Sequence, residues 1–89
     1  MLKITDTRTG ATTTLVLEGA ILGPWVAEIR TALAAIPRRR KRRIDLAAVT
    51  FVDVEGADLL AALRRDGIQI VSPSPFVDEL LSLHARNRR

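Results

Sequence analysis

The first part of the chain predicts a β-hairpin. Apolar and polar residues alternate from Leu2 to Thr7, which is the period of a strand with one buried face. Residues 8–11, with the sequence RTGA, supply a glycine turn, and Thr13 to Glu18 is rich in β-branched and apolar residues. Two such runs joined by a short turn predict a pair of antiparallel strands.

Further along, the apolar residues recur at the spacing of helices. Gly23 and Pro24 mark the start of a first helix, since proline fits the first helical turn, and Pro37 ends it. The pair Asp66 and Gly67 stops a second helix. The residues expected to face inward are Trp25, Val26, Ile29, Leu33 and Ile36 in the first helix, Ala57, Leu60, Ala61 and Leu63 in the second, and Phe76, Val77, Leu80 and Leu81 in a third, with His84 on its flank.

Two more strands, Ile44 to Val52 and Ile68 to Val71, separate these helices, so the element order is β-β-α-β-α-β-α. Strand-helix-strand units join parallel strands through right-handed crossovers, so the second, third and fourth strands should be parallel and the first antiparallel. We predict an α/β fold, a small four-stranded mixed sheet with helices mainly on one face. Residues 1–89 should form a single domain, with a basic loop at 37–43 and a basic C-terminal tail at 84–89.

The corner between the third strand and the second helix carries unusual residues. Asp53 is placed to cap the helix N-terminus, worth ~1 kcal/mol relative to alanine, and Glu55 falls in the first turn, where the helix dipole favours negative charge. Gly56 costs ~1 kcal/mol of helix propensity relative to alanine, so another constraint must require it. Two interpretations are open: ordinary capping with a packing glycine, or a contact surface that another chain approaches closely.

The segment IDLAAVTFVDVEGADLLAALRRDG resembles the STAS domain, the module shared by sulfate transporters and bacterial anti-sigma-factor antagonists. A hairpin and a helix precede the segment, and IQIVSPSPFVDELLSL follows it. The resemblance extends from about Leu2 to Leu83. Its most specific part is the apolar strand ending in Phe51, Val52 and Asp53, with Gly56 three residues later. The family has the same element order, usually extended by a further strand and helix.

The resemblance also implies what this corner does. In the antagonists a serine follows the aspartate, a serine or threonine comes next, and phosphorylation of one of them releases a protein partner. Here those positions are Val54 and Glu55, neither of which has a hydroxyl group, so the usual phosphorylation switch is absent. Glu55 carries less charge than the roughly −1.5 to −2 of a phosphate and imitates it poorly. Constitutive binding and a lost switch are both open.

On this resemblance the chain is a non-enzymatic protein-interaction module. The partner would be an anti-sigma-type regulatory kinase or a transporter subunit. A homodimer is a further possibility, because an open edge at the first or fourth strand can be covered by self-association. The residues expected to contact the partner lie in the corner and on the exposed side of the second helix: Asp53, Val54, Glu55, Gly56, Asp58 and Leu59.

Nothing in the sequence indicates catalysis or a cofactor. There is no cysteine, His84 is the one histidine, and the serines are Ser72, Ser74 and Ser82, so a nucleophile with its base would have to be built around a late histidine. Asp53, Glu55 and Asp58 are clustered carboxylates, but a helix N-terminus repels a cation, so we expect no metal site. No glycine-rich loop followed by lysine indicates a nucleotide-binding cradle.

The charge is concentrated in one run and one tail. Six basic residues run from Arg38 to Arg43, and Arg86, Arg88 and Arg89 end the chain. The run is either a solvated loop that favours the preceding helix C-terminus or, as the alternative function, an anion-binding surface for nucleic acid, an anionic membrane or an acidic protein. Single-strand recognition normally adds stacking aromatics, and the three aromatics here fall in apolar stripes. The run consists of Arg38, Arg39, Arg40, Lys41, Arg42 and Arg43.

Composition points to the cytoplasm. The absence of cysteine gives no indication of an oxidising compartment. The N-terminal MLKITDTRTG lacks the apolar core of a secretory signal, and no apolar run approaches the ~20 residues needed to cross a bilayer. We therefore expect a cytoplasmic protein without a transmembrane segment.

Overall fold

A computed structural model describes residues 2–87, and the side chains of residues 2–84. The elements follow the predicted order β-β-α-β-α-β-α. Their bounds are β1 Leu2–Thr9, β2 Thr12–Ile21, α1 Gly23–Ala34, β3 Lys41–Val52, α2 Val54–Arg65, β4 Gln69–Val71 and α3 Pro75–Asn87. The basic tail predicted at 84–89 lies mostly outside the described side chains.

The four strands form one mixed sheet in the order β1-β2-β3-β4. Strand β1 pairs antiparallel with β2, while β2 with β3 and β3 with β4 are parallel, as predicted. Because the strand order advances in one direction, the right-handed crossovers through α1 and α2 leave both helices on the same face of the sheet. This confirms the predicted fold class.

The core lies between the sheet and the helices. Side chains of β2 alternate, so that Leu15 and Leu17 are buried while Val16 between them is only partly covered. The most deeply buried apolar side chains come from every layer: Leu15, Leu17, Ile21, Ile29, Ile44, Leu46, Leu59, Leu60, Val77 and Leu81. Trp25 packs against this cluster and is partly exposed. One continuous apolar cluster therefore supports the whole sheet.

Strand β3 starts at Lys41, three residues before the predicted start at Ile44. The reason is pairing: Lys41, Arg42 and Arg43 lie in register with residues 12–14 of β2, and the Lys41 N–H donates to the carbonyl of Ala11 at 2.9 Å. Three of the seven residues of the predicted basic loop, Lys41 to Arg43, are therefore strand. The hydrogen bonds of the sheet outweigh the weak strand character of a charged sequence.

The carboxyl ends of β2 and β3 bring the corner beside the start of α1. The β2–β3 register shifts twice, between Val16 and Glu18 and between Gly19 and Ala20, and then pairs Ile21 with Val52. The Asp53 N–H extends this ladder by donating to the carbonyl of Ile21 at 3.1 Å. The first residues of α1 and α2 consequently lie next to each other at one end of the sheet.

Candidate functional site

The carboxylate of Asp53 caps two helices. Its Oδ1 accepts a hydrogen bond from the Gly56 N–H at 2.7 Å, which is the predicted N-cap interaction of α2. Its Oδ2 accepts from the Gly23 N–H at 2.9 Å, at the start of α1, where Leu22 supplies no side-chain cap. The first bond was predicted, and the second could not be, since the partners are 30 residues apart.

Gly56 is buried against the end of β2. A Cβ atom there would lie 2.6 Å from the carbonyl oxygen of Ile21, 2.9 Å from its Cγ2 and 3.0 Å from Cγ1 of Val52. The close approach that demands a glycine therefore comes from this chain's own strands and not from another chain. Of the two interpretations of the corner, the packing glycine is correct for Gly56, and the predicted exposure of this residue is wrong.

Leu59 is also inside the molecule. Its side chain is 1% exposed and belongs to the core between α2 and the sheet, so the prediction that it lies on the exposed side of α2 is wrong. The helical period explains this position: Gly56, Leu59, Leu60 and Leu63 all fall on the face that packs inward. Asp58, on the neighbouring face, is partly exposed as expected.

Glu55 is exposed in the first turn of α2, and its side chain lies over the first residue of α1. A Cβ added to Gly23 would fall 2.1 Å from Oε1 of Glu55, so the carboxylate rests beside the Cα of that glycine. Negative charge is favoured near a helix N-terminus, and here two N-termini adjoin. The position gives Glu55 a structural explanation that requires no resemblance to phosphate.

Exposed apolar side chains surround this corner. Val54 is 71% exposed, Phe76 56% and Phe51 46%. Together with Leu80 they line a shallow cleft of about 360 Å³ whose other walls include His84. We call these four residues, Phe51, Val54, Phe76 and Leu80, the Val54 patch. It is the part of the corner that offers an apolar surface to solvent.

Sequence reasoning missed both phenylalanines. Phe76 was expected to face inward. Val77 and Leu81, at 1% exposure each, occupy the buried side of α3, and Phe76 lies on its exposed side. Phe51 adjoins Val52, which is buried, and neighbouring strand residues point to opposite faces. This alternation could have predicted the exposure of Phe51, because Phe51 and Val52 cannot both enter the core.

Polar side chains link α3 to α2. Nε2 of His84 forms a hydrogen bond with Oδ1 of Asp58, and both side chains are partly exposed. Arg64 and Asp78 approach to 3.9 Å on the surface. His84 thus links α2 and α3, the two helices that carry Val54, Phe76 and Leu80.

The basic run does not form one surface. The Arg40 guanidinium is bound to the β1–β2 turn, donating from Nε to Oγ1 of the buried Thr13 at 2.6 Å and from one terminal nitrogen to the carbonyls of Gly10 and Thr12, each at 3.0 Å. Arg43 donates to Oε1 of Gln69 on β4 at 3.2 Å. Arg40 therefore has a structural role, and its guanidinium group is not free to bind an anion.

Among the side chains that the structure describes, no group of three or more His, Asp or Glu is arranged to hold a metal ion. Within the described helices, none combines the length and apolar character required for crossing a bilayer.

A comparison with known protein families identifies the family of this chain. The family model described as "Mlab, STAS domain" matches residues 4–87. Since the match spans nearly the whole chain, the chain belongs to the STAS domain family. A comparison with curated protein sequences gave no significant match.

Solved structures share the fold. The STAS domain of an antisigma-factor antagonist from Rhodobacter sphaeroides matches with a TM-score of 0.54 and 21% identity, covering 80% of this chain and 86% of that one. Two crystal structures of a protein named Mglu match with TM-scores of 0.61 and 0.60 and identities of 27% and 25%, covering 74% and 79% of this chain. The present chain spans only 18% and 22% of those two chains. The predicted STAS resemblance is confirmed.

Proposed function

We propose that this STAS domain binds a protein partner through the Val54 patch, without control by phosphorylation at the corner. The observation that carries the proposal is the 71% exposure of Val54 at a cleft that two exposed phenylalanines also line. Single exposed apolar residues are ordinary on protein surfaces, whereas several around one cleft are typical of an interaction site. Membership of a family that includes anti-sigma-factor antagonists supports a protein as the partner.

The scaffold under the patch favours binding without rearrangement. Val54 is the first residue of α2, and its neighbour Asp53 is held by two backbone N–H groups. The buried Gly56 leaves no space for the helix to move closer to β2. A contact surface fixed in this way loses little conformational entropy when it binds.

The chemistry of the Val54 patch indicates what kind of partner surface would fit it. The centre is apolar and aromatic, while exposed carboxylates lie nearby on the same two helices, including Glu55, Asp78 and Glu79. A partner surface with an apolar anchor and basic residues around it would match both features. A regulatory kinase or a transporter subunit in the cytoplasm is the class of partner that the STAS family membership supports.

Constitutive binding follows from the residue at the phosphoacceptor position. Val54 has no hydroxyl group and cannot be phosphorylated. The carboxylate of Glu55, the next residue, lies beside Gly23 at the N-terminus of α1. Of the two open interpretations we therefore propose constitutive binding, because a lost interface would have no reason to keep three large apolar side chains in solvent.

The test is affinity capture from the native lysate with three forms of the full chain: wild type, Val54→Asp and Leu83→Asp. Asp at the first position of α2 suits the helix dipole, so Val54→Asp should keep its fold. Leu83 is 44% exposed but does not line the cleft, which makes Leu83→Asp the matched control.

We expect a protein that is captured by wild type and by Leu83→Asp and lost with Val54→Asp. The captured protein is then purified and its affinity for each form is measured by calorimetry, with circular dichroism to verify folding. Equal affinity for a folded Val54→Asp variant would refute the Val54 patch as the interface.

A further inference from the structure

A second cleft lies at the opposite end of the sheet from Asp53. It has a volume of about 510 Å³ and is formed where α1 ends, β3 starts and α2 ends. Its walls carry three arginines, Arg30 from α1, Arg38 from the connection to β3, and Arg42 from β3. The remaining lining residues are Leu33, Ala34, Leu63, Asp66 and Ile68.

The three guanidinium groups have no partner among the described side chains. The ion pairs found there involve Arg8, Arg64 and His84, and the arginine hydrogen bonds involve Arg40 and Arg43. One carboxylate, that of Asp66, borders the cleft, so the charge on its walls is net positive. Three like charges at one cleft repel one another unless an anion joins them.

Attraction to a helix C-terminus does not account for Arg30 and Arg42. Cations favour helix C-termini, but the last turn of α2 already has Arg64 and Arg65. Arg42 belongs to a strand, and Arg30 precedes the last turn of α1, which has no basic residue of its own. Arg30 also borders a neighbouring cleft that contains Glu55 and Asp58.

We propose that this cleft binds a small phosphate-bearing molecule. The phosphate would lie between Arg30, Arg38 and Arg42, because the planar guanidinium group can donate two hydrogen bonds to one phosphate. The exposed Ala34 and the edges of Leu33, Leu63 and Ile68 would contact an apolar or aromatic portion of the ligand. The volume falls in the ~300–1,000 Å³ range of small-molecule pockets.

A small ligand fits better than a nucleic-acid backbone. A duplex needs positive charges spread along a groove, whereas these three arginines line one recess. Arg40, in the middle of the basic run, is bound to the β1–β2 turn and contributes nothing to an extended surface. The basic run is thereby divided into an inner pair that lines the cleft, Arg38 and Arg42, and outer residues such as Arg39.

The probes are inorganic pyrophosphate and adenosine diphosphate, titrated into the full chain by calorimetry and by amide NMR at ~150 mM salt, where diffuse surface attraction is screened. Saturable binding should shift the amides of Ala34, Arg42 and Ile68. Arg42→Gln and Arg38→Gln should each weaken binding about tenfold, the loss expected for one charge-assisted phosphate contact. Two different variants protect the test against one that fails to fold.

The controls separate a built site from general basicity. Arg39→Gln removes the same charge from an exposed residue outside the cleft and should leave the affinity within about twofold. Asp66→Asn should strengthen binding severalfold, because it removes the one carboxylate that borders the cleft. Val54→Asp should bind pyrophosphate as the wild type does, so this proposal and the proposed function fail independently.

Three results would overturn the proposal. One is the absence of saturable binding of either probe. Another is an equal loss of affinity in Arg39→Gln and Arg42→Gln, which would indicate diffuse attraction. The third is a preference for duplex DNA or for phosphatidylglycerol vesicles over both probes, with retention that Arg39→Gln reduces as much as Arg42→Gln does.

Discussion

The carboxylate of Asp53 accepts a hydrogen bond at 2.9 Å from the backbone N–H of Gly23, 30 residues earlier, and so joins the starts of α1 and α2. Its other oxygen accepts from Gly56 within its own helix. An exposed corner would otherwise leave the first N–H groups of α1 without a side-chain partner. Asp53 therefore stabilises the helix starts that present Val54, in addition to any contact that it makes with the partner.

Replacing Asp53 should destabilise the domain by more than one cap is worth. Asp53→Ala removes both acceptors, and we expect the free energy of unfolding to fall by about 2 kcal/mol, measured by urea denaturation. Asp53→Asn keeps one acceptor oxygen and should lose about half as much. The control is Asp45→Ala, which removes a local bond to the Ala47 N–H. If Asp53→Ala costs no more than this control, the double cap does not contribute to stability.

Gly56→Ala should destabilise the domain although alanine is the better helix former. The added Cβ would meet the Ile21 carbonyl at 2.6 Å, and backbone cannot move aside cheaply. We expect a loss of about 1–3 kcal/mol in the free energy of unfolding. At Gly23 the added Cβ would meet the end of the flexible Glu55 side chain, so Gly23→Ala should cost clearly less. Equal losses for the two variants would contradict this packing.

The hydrogen bond between Arg40 and Thr13 should give a measurable coupling energy between the two residues. Arg40→Met leaves the buried Thr13 hydroxyl without its donor, and we expect a loss of about 1–3 kcal/mol. In a double-mutant cycle with Thr13→Val, the second substitution should cost much less once the first is present. Arg39→Met, on the exposed neighbour, should change stability by less than ~0.5 kcal/mol. Additive effects of Arg40→Met and Thr13→Val would show that the bond contributes nothing.

Truncation on the buried side of α3 should cost far more stability than truncation on its exposed side. Leu81 is 1% exposed, so Leu81→Ala should reduce the free energy of unfolding by about 2–5 kcal/mol. Phe76 is 56% exposed, so Phe76→Ala should cost less than ~1 kcal/mol while weakening capture of the partner. A large stability loss in Phe76→Ala, measured by the same denaturation assay, would place this residue in the core and remove it from the Val54 patch.

Local patterns were sufficient for the architecture. Alternation in the first strands, helical spacing after Pro24, and the stop at Asp66 and Gly67 led to the observed element order. The parallel arrangement followed from the handedness of crossovers, which depends on strand twist and not on particular side chains. The cap of α2 was also predictable, since Asp53 and Gly56 are three residues apart and the interaction is local.

Contacts between distant segments were beyond such patterns. Gly56 was understood as a glycine with a constraint, but the atom that imposes it belongs to Ile21, 35 positions earlier. The exposure of Phe51 and Phe76 and the burial of Leu59 depend on which face of each element meets the sheet, which packing settles once all layers are assembled. The same holds for Arg40, bound to a turn far from it in sequence, and for Arg30, brought beside Arg38 and Arg42. Periodicity follows from neighbours along the backbone, whereas burial and pairing follow from neighbours in space.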